Sequence, residues 1–310
     1  MCRKNFWIIY EKPQECDRLQ RYGSIQKICP AGGHSLRKDM IIIMKILFTD
    51  LDGTLLNDQS MVSRNTKAFL DDFTHAGNKL VLTSGRPLLS ILEVKEQAGL
   101  DYPGILISAN NGTLVYDCDS KAPILEKRLS LSQVAYLQAR AKAFGLHIQT
   151  YTDDAIVTAA EDEEIRFYRR RVHLPLLLAE DYASVLPKGP LKMLAIHLRD
   201  HDRLVAFCEH IAGWAADKIQ YIFSNDFYLE LFHKDAGKGS SVRFVCDHFQ
   251  IPLSDSFAAG DADNDISMIR EAGCGIAMKN AAPKVKEAAD VITAQDNDND
   301  GLAEFMKSVL

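Results

Sequence analysis

The chain has no cysteine pair at short spacing. Its seven cysteines (Cys2, Cys16, Cys29, Cys118, Cys208, Cys246 and Cys274) are scattered over 310 residues. That fits neither a zinc ribbon nor a dense disulfide framework, and it points to reduced thiols in a cytoplasmic setting. Basic residues are not in excess either. With 36 Lys and Arg against 42 Asp and Glu, the formal charge is −6, so there is no basic field to hold a phosphate backbone and nucleic acid is not an expected partner. Long apolar runs are missing too. None approaches the ~20 residues that span a bilayer, and FWIIY falls short of the ~7–15-residue core of a secretory signal. No membrane partner is expected, and a monomer or homodimer is.

What is present is the composition of a globular protein, 47% hydrophobic and 25% charged, on a chain long enough for two units. Residues 1–43 carry a Gly-Gly pair, scattered charge and no sustained period. They read as an N-terminal extension without much structure, the folded part starting near Met44. Within the extension, Cys29 and His34 of CPAGGH have no second pair at ligand spacing and read as loop.

From Met44 onward the punctuation is regular. MKILFTD predicts a buried strand, Ser63 to His75 a helix ended by Gly77, KLVLTS a strand, SILEVKEQAG a helix and GILISAN a strand. The same grammar returns late in GKGSSVRFVCDHF, SFAAGD, DISMIREAG, CGIAM, PKVKEAA and DVIT. Apolar strands alternating with helices imply βαβ units and a parallel sheet covered on both faces. Residues 122–229 read differently, with five strand candidates around two longer helices. The expectation is an α/β, Rossmann-like parallel-sheet core from 44–121 and 230–310, interrupted by an α+β unit over 122–229.

Ligands of an open parallel sheet bind at the carboxyl ends of its strands. Four polar clusters fall at such ends or at the start of the next helix: Asp50 and Asp52 before Gly53-Thr54; Ser84, Gly85 and Arg86; Lys238 in GKGSS; and Asp261, Asn264 and Asp265 in GDADND. One carboxylate at a strand end is commonly a helix cap. Four acids on one sheet edge repel unless a cation joins them, and an oxygen-only donor set points to Mg²⁺. Beside such a cation an aspartate can attack phosphorus, and an acid two residues on, facing the same side, can move protons. Ser84 offers a hydroxyl and a backbone N–H to phosphate oxygens, Gly85 a close backbone approach, Lys238 a local cation, and Asn264 a polar contact to the nucleophile or a phosphate oxygen.

FTDLDGTLL, LTSGRP, GKGSS and GDADNDISMI, in that order, resemble the four motifs of haloacid dehalogenase-like phosphohydrolases, and SANNG resembles the Cof-type branch with a large inserted cap. The likeness runs over essentially all of 44–310. It implies an Mg²⁺-dependent phosphatase of small phosphorylated metabolites, sugar phosphates foremost. Asp50 would become the aspartyl-phosphate and Asp52 serve as general acid/base. The metal would be held by the Asp50 carboxylate, the Asp52 carbonyl and Asp261, with Asp265 a further or water-mediated ligand. Ser84, Lys238 and Asn264 would hold the phosphoryl group. The second motif reads Thr-Ser-Gly-Arg where Ala-Thr-Gly-Arg is more usual, and it keeps a hydroxyl.

Spacing places the inserted cap. About 30 residues separate Asp52 from Ser84 and about 150 separate Ser84 from Lys238, and only the second interval holds a domain. Asn110 and Asn111, beside the cap entry, and Arg86 are candidates for substrate contact, with an Asn-Asn-Gly turn the plain alternative for the asparagines. DNDNDG, 296–301, begins like a calcium loop but has Lys307 where a bidentate Glu belongs, and reads as a solvated acidic loop. RFYRRR, 166–171, reads as a solvated helix face. A receiver domain needs only about 120 residues and no insertion; a phosphomutase or a non-catalytic phosphometabolite-binding regulator would share much of the pattern.

Overall fold

A computed structural model describes residues 44–310 apart from Arg171 and His173; the expected extension, 1–43, with its Cys29 and His34, lies outside the described residues. Strands β1 (Ile46–Thr49), β2 (Lys79–Thr83), β3 (Leu106–Ala109), β4 (Leu114–Asp117) and β5 (Ala122–Glu126) come first. Then follow β6 (His147–Tyr151), β7 (Ile156–Thr158), β8 (Leu176–Leu178), β9 (Lys192–Ile196), β10 (Ile219–Asn225) and β11 (Tyr228–His233). The chain closes with β12 (Ser256–Gly260), β13 (Cys274–Ala277) and β14 (Val291–Ile292).

They form two sheets, ordered β14-β13-β12-β1-β2-β3-β4-β5 and β10-β11-β9-β6-β7-β8. In the first, every pairing from β14 to β3 is parallel. The continuous apolar run of β1 follows from coverage on both faces. Leu47 packs with Leu80, Leu82 and Phe69 on one face, while Ile46 and Phe48 pack with Val81, Val242 and Met268 on the other. This is the expected Rossmann-like α/β core, with one correction: β4 and β5 extend it antiparallel.

That correction moves the expected junctions. Ala122–Glu126, expected in the inserted unit, pairs with β4 in the first sheet. Residues 230–233, expected in the core, lie in β11, paired with β9 and β10. The inserted sheet is antiparallel except between β7 and β8. Its alternation is clean. Met193 and Ala195 of β9 and Leu229 and Leu231 of β11 pack with Val134, Leu137, Leu204 and Phe207 from helices Leu131–Phe144 and His201–Ala215. Lys192, Leu194, Glu230 and Phe232 take the opposite face by the two-residue period of strands.

The acidic loop before the last helix is not simply solvated, as expected, but fastened. Asp300 accepts hydrogen bonds from Ser63 Oγ, Asn65 Nδ2 and Thr66 Oγ1 at the start of helix Arg64–His75. Those donors hold its carboxyl below the usual range against the opposing effect of burial. In RFYRRR the helix ends at Tyr168, whose ring is buried, while Arg166, Arg169 and Arg170 are exposed. No helix among the described residues is long and apolar enough to cross a membrane.

Candidate active site

Because β12, β1, β2 and β3 run parallel as neighbours, their carboxyl ends deliver Asp261, Asp50, Ser84 and Asn110 to one edge. Lys238 opens the helix Lys238–His248 and is fully enclosed. Its Nζ donates to Asp50 Oδ1 and Asp265 Oδ1, each at 2.5 Å. Asp265 Oδ2 accepts the backbone N–H groups of Asp261 and Ala262, both at 3.0 Å. Thr54 Oγ1 donates to Asp261 Oδ1 at 2.8 Å. One oxygen from each of Asp50, Asp261 and Asp265 can be chosen so that all lie within 4.8 Å of one another.

The charges in this cluster do not balance, because three carboxylates surround one ammonium. Burial pushes the Asp50 carboxyl well above its ordinary value, with Lys238 opposing and Asp265 and Asp261 adding to the rise. Burial likewise raises Asp261, to about 6. For Lys238 burial acts downward, but Asp265 and Asp50 outweigh it and keep the ammonium above its ordinary value. An excess of buried negative charge in an all-oxygen donor set is what a hard divalent cation compensates. Asp50 and Asp261 each keep one carboxylate oxygen without a hydrogen-bond partner among the described residues, so they can hold a metal directly. Both Asp265 oxygens are already engaged, by Lys238 and by two backbone N–H groups.

Two glycines make this proximity possible. Gly53 has φ of +76°, and a Cβ there would meet Asp261 Oδ2 at 2.5 Å. Gly112, φ +83°, lies against the backbone that leads into Lys238, where a Cβ would sit 2.2 Å from the Gly237 carbonyl oxygen. Gly112→Ala should therefore cost about 2 kcal/mol or more in chemical denaturation, from φ strain and overpacking together; a loss under about 0.5 kcal/mol would refute that backbone contact.

Ser84 is placed as expected but offers less than expected. Its backbone N–H is spent on Ser108 O at 2.9 Å, so the hydroxyl, which also accepts from Arg86 N at 3.1 Å, is what remains for a ligand. The backbone of Gly85 follows directly. Arg86 is not free for substrate in this arrangement. Its Nε donates to Asp52 Oδ2 at 2.8 Å and its Nη2 to Asp52 Oδ1. Asp52 is the exposed member of the Asp50/Asp52 pair. Asn110 and Asn111 are both buried with φ of 50° and 56°, so the turn reading holds for the backbone. Asn111 still reaches the site, its Oδ1 accepting from Asn264 Nδ2 at 3.0 Å.

Sequence reasoning missed Thr54, Asn280, Lys192 and Glu230. Asn280 Nδ2 donates to Gly53 O at 2.7 Å. Lys192 and Glu230 form a buried pair at 2.9 Å facing the core. The available signal was a lone charge inside each of two apolar strands, LKMLAI and YLELF. A cavity of about 490 Å³ adjoins the acidic edge, lined on the core side by Asp261, Asp263, Asn264 and Asn280 and on the inserted side by His201, Phe223, Ser224, Asn225 and Asp226.

A Rossmann-like sheet that gathers carboxylates, a hydroxyl and an enclosed lysine at its carboxyl edge leads to a class, the phosphate-ester hydrolases built on a parallel-sheet core. Known proteins narrow it further. The family model described as haloacid dehalogenase-like hydrolase matches residues 47–306, and the chain belongs to that family, in its Cof-type branch; it is an enzyme of the phosphatase class. Phosphatase YwpJ of Bacillus subtilis is 27% identical, the match covering 86% of this chain and 100% of the relative. A 5-amino-6-(5-phospho-D-ribitylamino)uracil phosphatase of the same organism is 26% identical over 84% of this chain and 96% of its own. Among solved structures, a haloacid dehalogenase-like hydrolase from Bacteroides thetaiotaomicron superimposes with a TM-score of 0.76 at 29% identity, covering 86% of this chain and 100% of that one.

Proposed function

We propose that the chain is a Mg²⁺-dependent phosphatase of small phosphorylated metabolites, with a sugar phosphate as the best-fitting substrate and Asp50 as nucleophile. The observation that carries this reading is Lys238 held between Asp50 and Asp265 at 2.5 Å to each, with Asp261 alongside. Lys238 fixes the Asp50 carboxylate and supplies positive charge where phosphoryl oxygens gather. Mg²⁺ on Asp50, the Asp52 carbonyl and Asp261 would neutralise charge between the carboxylate and the phosphate. Asp265 is the positioning residue for Lys238 and the 261–262 backbone, and enters the metal's surroundings at most through water.

An Asp50 oxygen attacks phosphorus, the bond to the leaving oxygen breaks, and Asp52 gives that oxygen its proton. Asp52 then takes a proton from water, whose oxygen attacks the same phosphorus and releases phosphate, restoring Asp50. Since Arg86 holds both Asp52 oxygens, proton transfer follows opening of that pair on substrate binding. The Ser84 hydroxyl and the Asn264 amide face the phosphoryl group. Residues from about 127 to 233 act as a cap that covers the site and excludes water. A cavity of about 490 Å³ suits a small metabolite. Its inserted wall, with Ser224, Asn225, Asp226 and His201 against one aromatic ring, suits hydroxyls better than a stacked base.

Asp52→Asn tests the proton-transfer role. Turnover of an alkyl phosphate should fall about 100-fold or more, and turnover of p-nitrophenyl phosphate, whose leaving group needs no proton, much less in the first step; equal losses in single-turnover experiments would count against it. Metal linkage gives a second test. With Asp261 raised to about 6 from an ordinary 3.8, the metal-free fold binds its proton more tightly than the unfolded chain. Metal-free stability therefore declines as pH rises from about 4 to about 6. Mg²⁺ competes with that proton, so its stabilising shift in Tm should be smaller at pH 5 than at pH 7.5. An equal shift at both pH values would remove Asp261 from the ligand set. A Mg²⁺-supplemented phosphatase screen across sugar, nucleotide and cofactor phosphates tests the substrate, and preference for a planar nucleotide would reject the sugar assignment.

A further inference from the structure

The inserted sheet buries a lysine and a glutamate at its centre. The Lys192 and Glu230 side chains are 5% and 7% exposed and meet at 2.9 Å. Burial works against the Lys192 charge, and Glu230 more than restores it. Such a pair is a poor device for stability alone, since well-packed apolar residues commonly do as well or better. Its remaining hydrogen-bonding capacity shows where it acts. Lys192 Nζ also donates to Gly85 O at 3.1 Å, in the loop that follows Ser84. Glu230 Oε2 also accepts Asn111 Nδ2 at 3.1 Å, and Asn111 Oδ1 accepts Asn264 Nδ2 at 3.0 Å.

The series has a direction. A carboxylate only accepts, so Glu230 requires the NH₂ end of Asn111. That turns the Asn111 oxygen toward Asn264, which must answer with its own NH₂ and present its carbonyl elsewhere. Gly85 leaves room for it, a Cβ there lying 3.1 Å from Asn111 Oδ1. Both ends of the path, Gly85 beside Ser84 and Asn264 beside Asp265, belong to the phosphate-handling edge.

We propose that Lys192 and Glu230 are positioning residues for the reaction: through Gly85 and Asn111 they set the phosphate loop and the polarity of the Asn264 amide, so that the catalytic edge is aligned only while the inserted sheet is seated on it. The proposal rests on the phosphatase reading above, and its test separates the two.

With saturating Mg²⁺, Glu230→Gln should lower kcat by about 10- to 100-fold, the scale of a misplaced reacting group. KM should change by less than about threefold, and the factor should be the same for an alkyl phosphate and p-nitrophenyl phosphate. Asn111→Asp alone sets two carboxylates against each other and should be worse. The double variant Glu230→Gln/Asn111→Asp removes that repulsion between carboxylates and keeps an acceptor facing Asn264, so it should exceed Asn111→Asp in kcat; because Lys192 and Asn111 share Glu230 Oε2, it should not exceed Glu230→Gln. A loss confined to KM and dependent on the leaving group would overturn the proposal in favour of direct substrate recognition. A lowered Tm with unchanged kcat would overturn it in favour of packing alone, and so would a double variant no better than the worse single one. If Asp50→Asn stays active the phosphatase reading itself fails; if Asp50→Asn is dead while Glu230→Gln keeps wild-type kcat, only this proposal does.

Discussion

Asp50→Asn should abolish turnover, lowering kcat by at least about 10⁴-fold as removal of a covalent nucleophile does, while the protein stays folded. The side chain keeps its shape, and its oxygen can still accept from Lys238, now 2.5 Å from Asp50 Oδ1. What disappears is one negative charge from an enclosed cluster in which burial, with Asp265 and Asp261 adding to it, already holds Asp50 well above the ordinary carboxyl range. Metal-free stability should therefore be equal to or greater than wild type near neutral pH, because an unfavourable buried charge is gone. Two measurements suffice, steady-state phosphatase activity with Mg²⁺ and thermal unfolding without it. Substantial residual Mg²⁺-dependent activity would end the aspartyl-phosphate mechanism. An inactive protein that has also lost several kcal/mol would mean that Asp50 is chiefly structural.

Lys238→Met should do the opposite to the fold. Methionine fills much of the volume but leaves Asp50 and Asp265 buried with no cation between them; Asp265 is fully enclosed, and Lys238 now meets both. Removing one partner of a buried charge group costs about 3–5 kcal/mol. Burial raises the Asp50 carboxyl and Lys238 opposes that rise, so without the ammonium Asp50 titrates higher still, and the deficit should shrink as pH falls and protons replace the lysine. Denaturant unfolding at pH 5 and pH 8 checks both the size and the sign. Activity should be lost at either pH, because phosphoryl oxygens lose their nearest protein cation. A variant within about 1 kcal/mol of wild type at pH 8 would show that water or a counter-ion already satisfies the aspartates.

Much of the fold and of the site is legible in the amino-acid order. The apolar run ILFT suits only a strand covered on both faces, and burial at both Ile46 and Leu47 bears that out. Asp50, Ser84 and Asp261 belong on one edge because each ends an apolar run, and parallel strands joined by crossover helices point those ends the same way. Strand pairing at the seams is not legible. Ala122–Glu126 carries no sign of whether it continues the core sheet or opens the insertion, since its half-exposed pattern suits either. Nor is Arg86 on Asp52 legible, nor Lys192 on Glu230. In these pairs the partners lie 34 and 38 residues apart, and periodicity says which face a side chain takes, not which distant segment will meet it.

The sequence by itself determined the chemistry of this protein: which strands are buried, which acids follow them, which lysine opens a helix beside them, and hence a phosphate-processing edge. Local pattern suffices there because solvent exclusion and the two-residue period act on neighbours along the chain. Only the tertiary structure decided how those groups are held: Lys238 shared by Asp50 and Asp265, Asp261 turned by Thr54, Asp52 covered by Arg86, and the inserted sheet locked through Asn111 to Asn264. Buried polar groups must find partners wherever the fold brings them, and those partners come from segments that the chain order keeps apart.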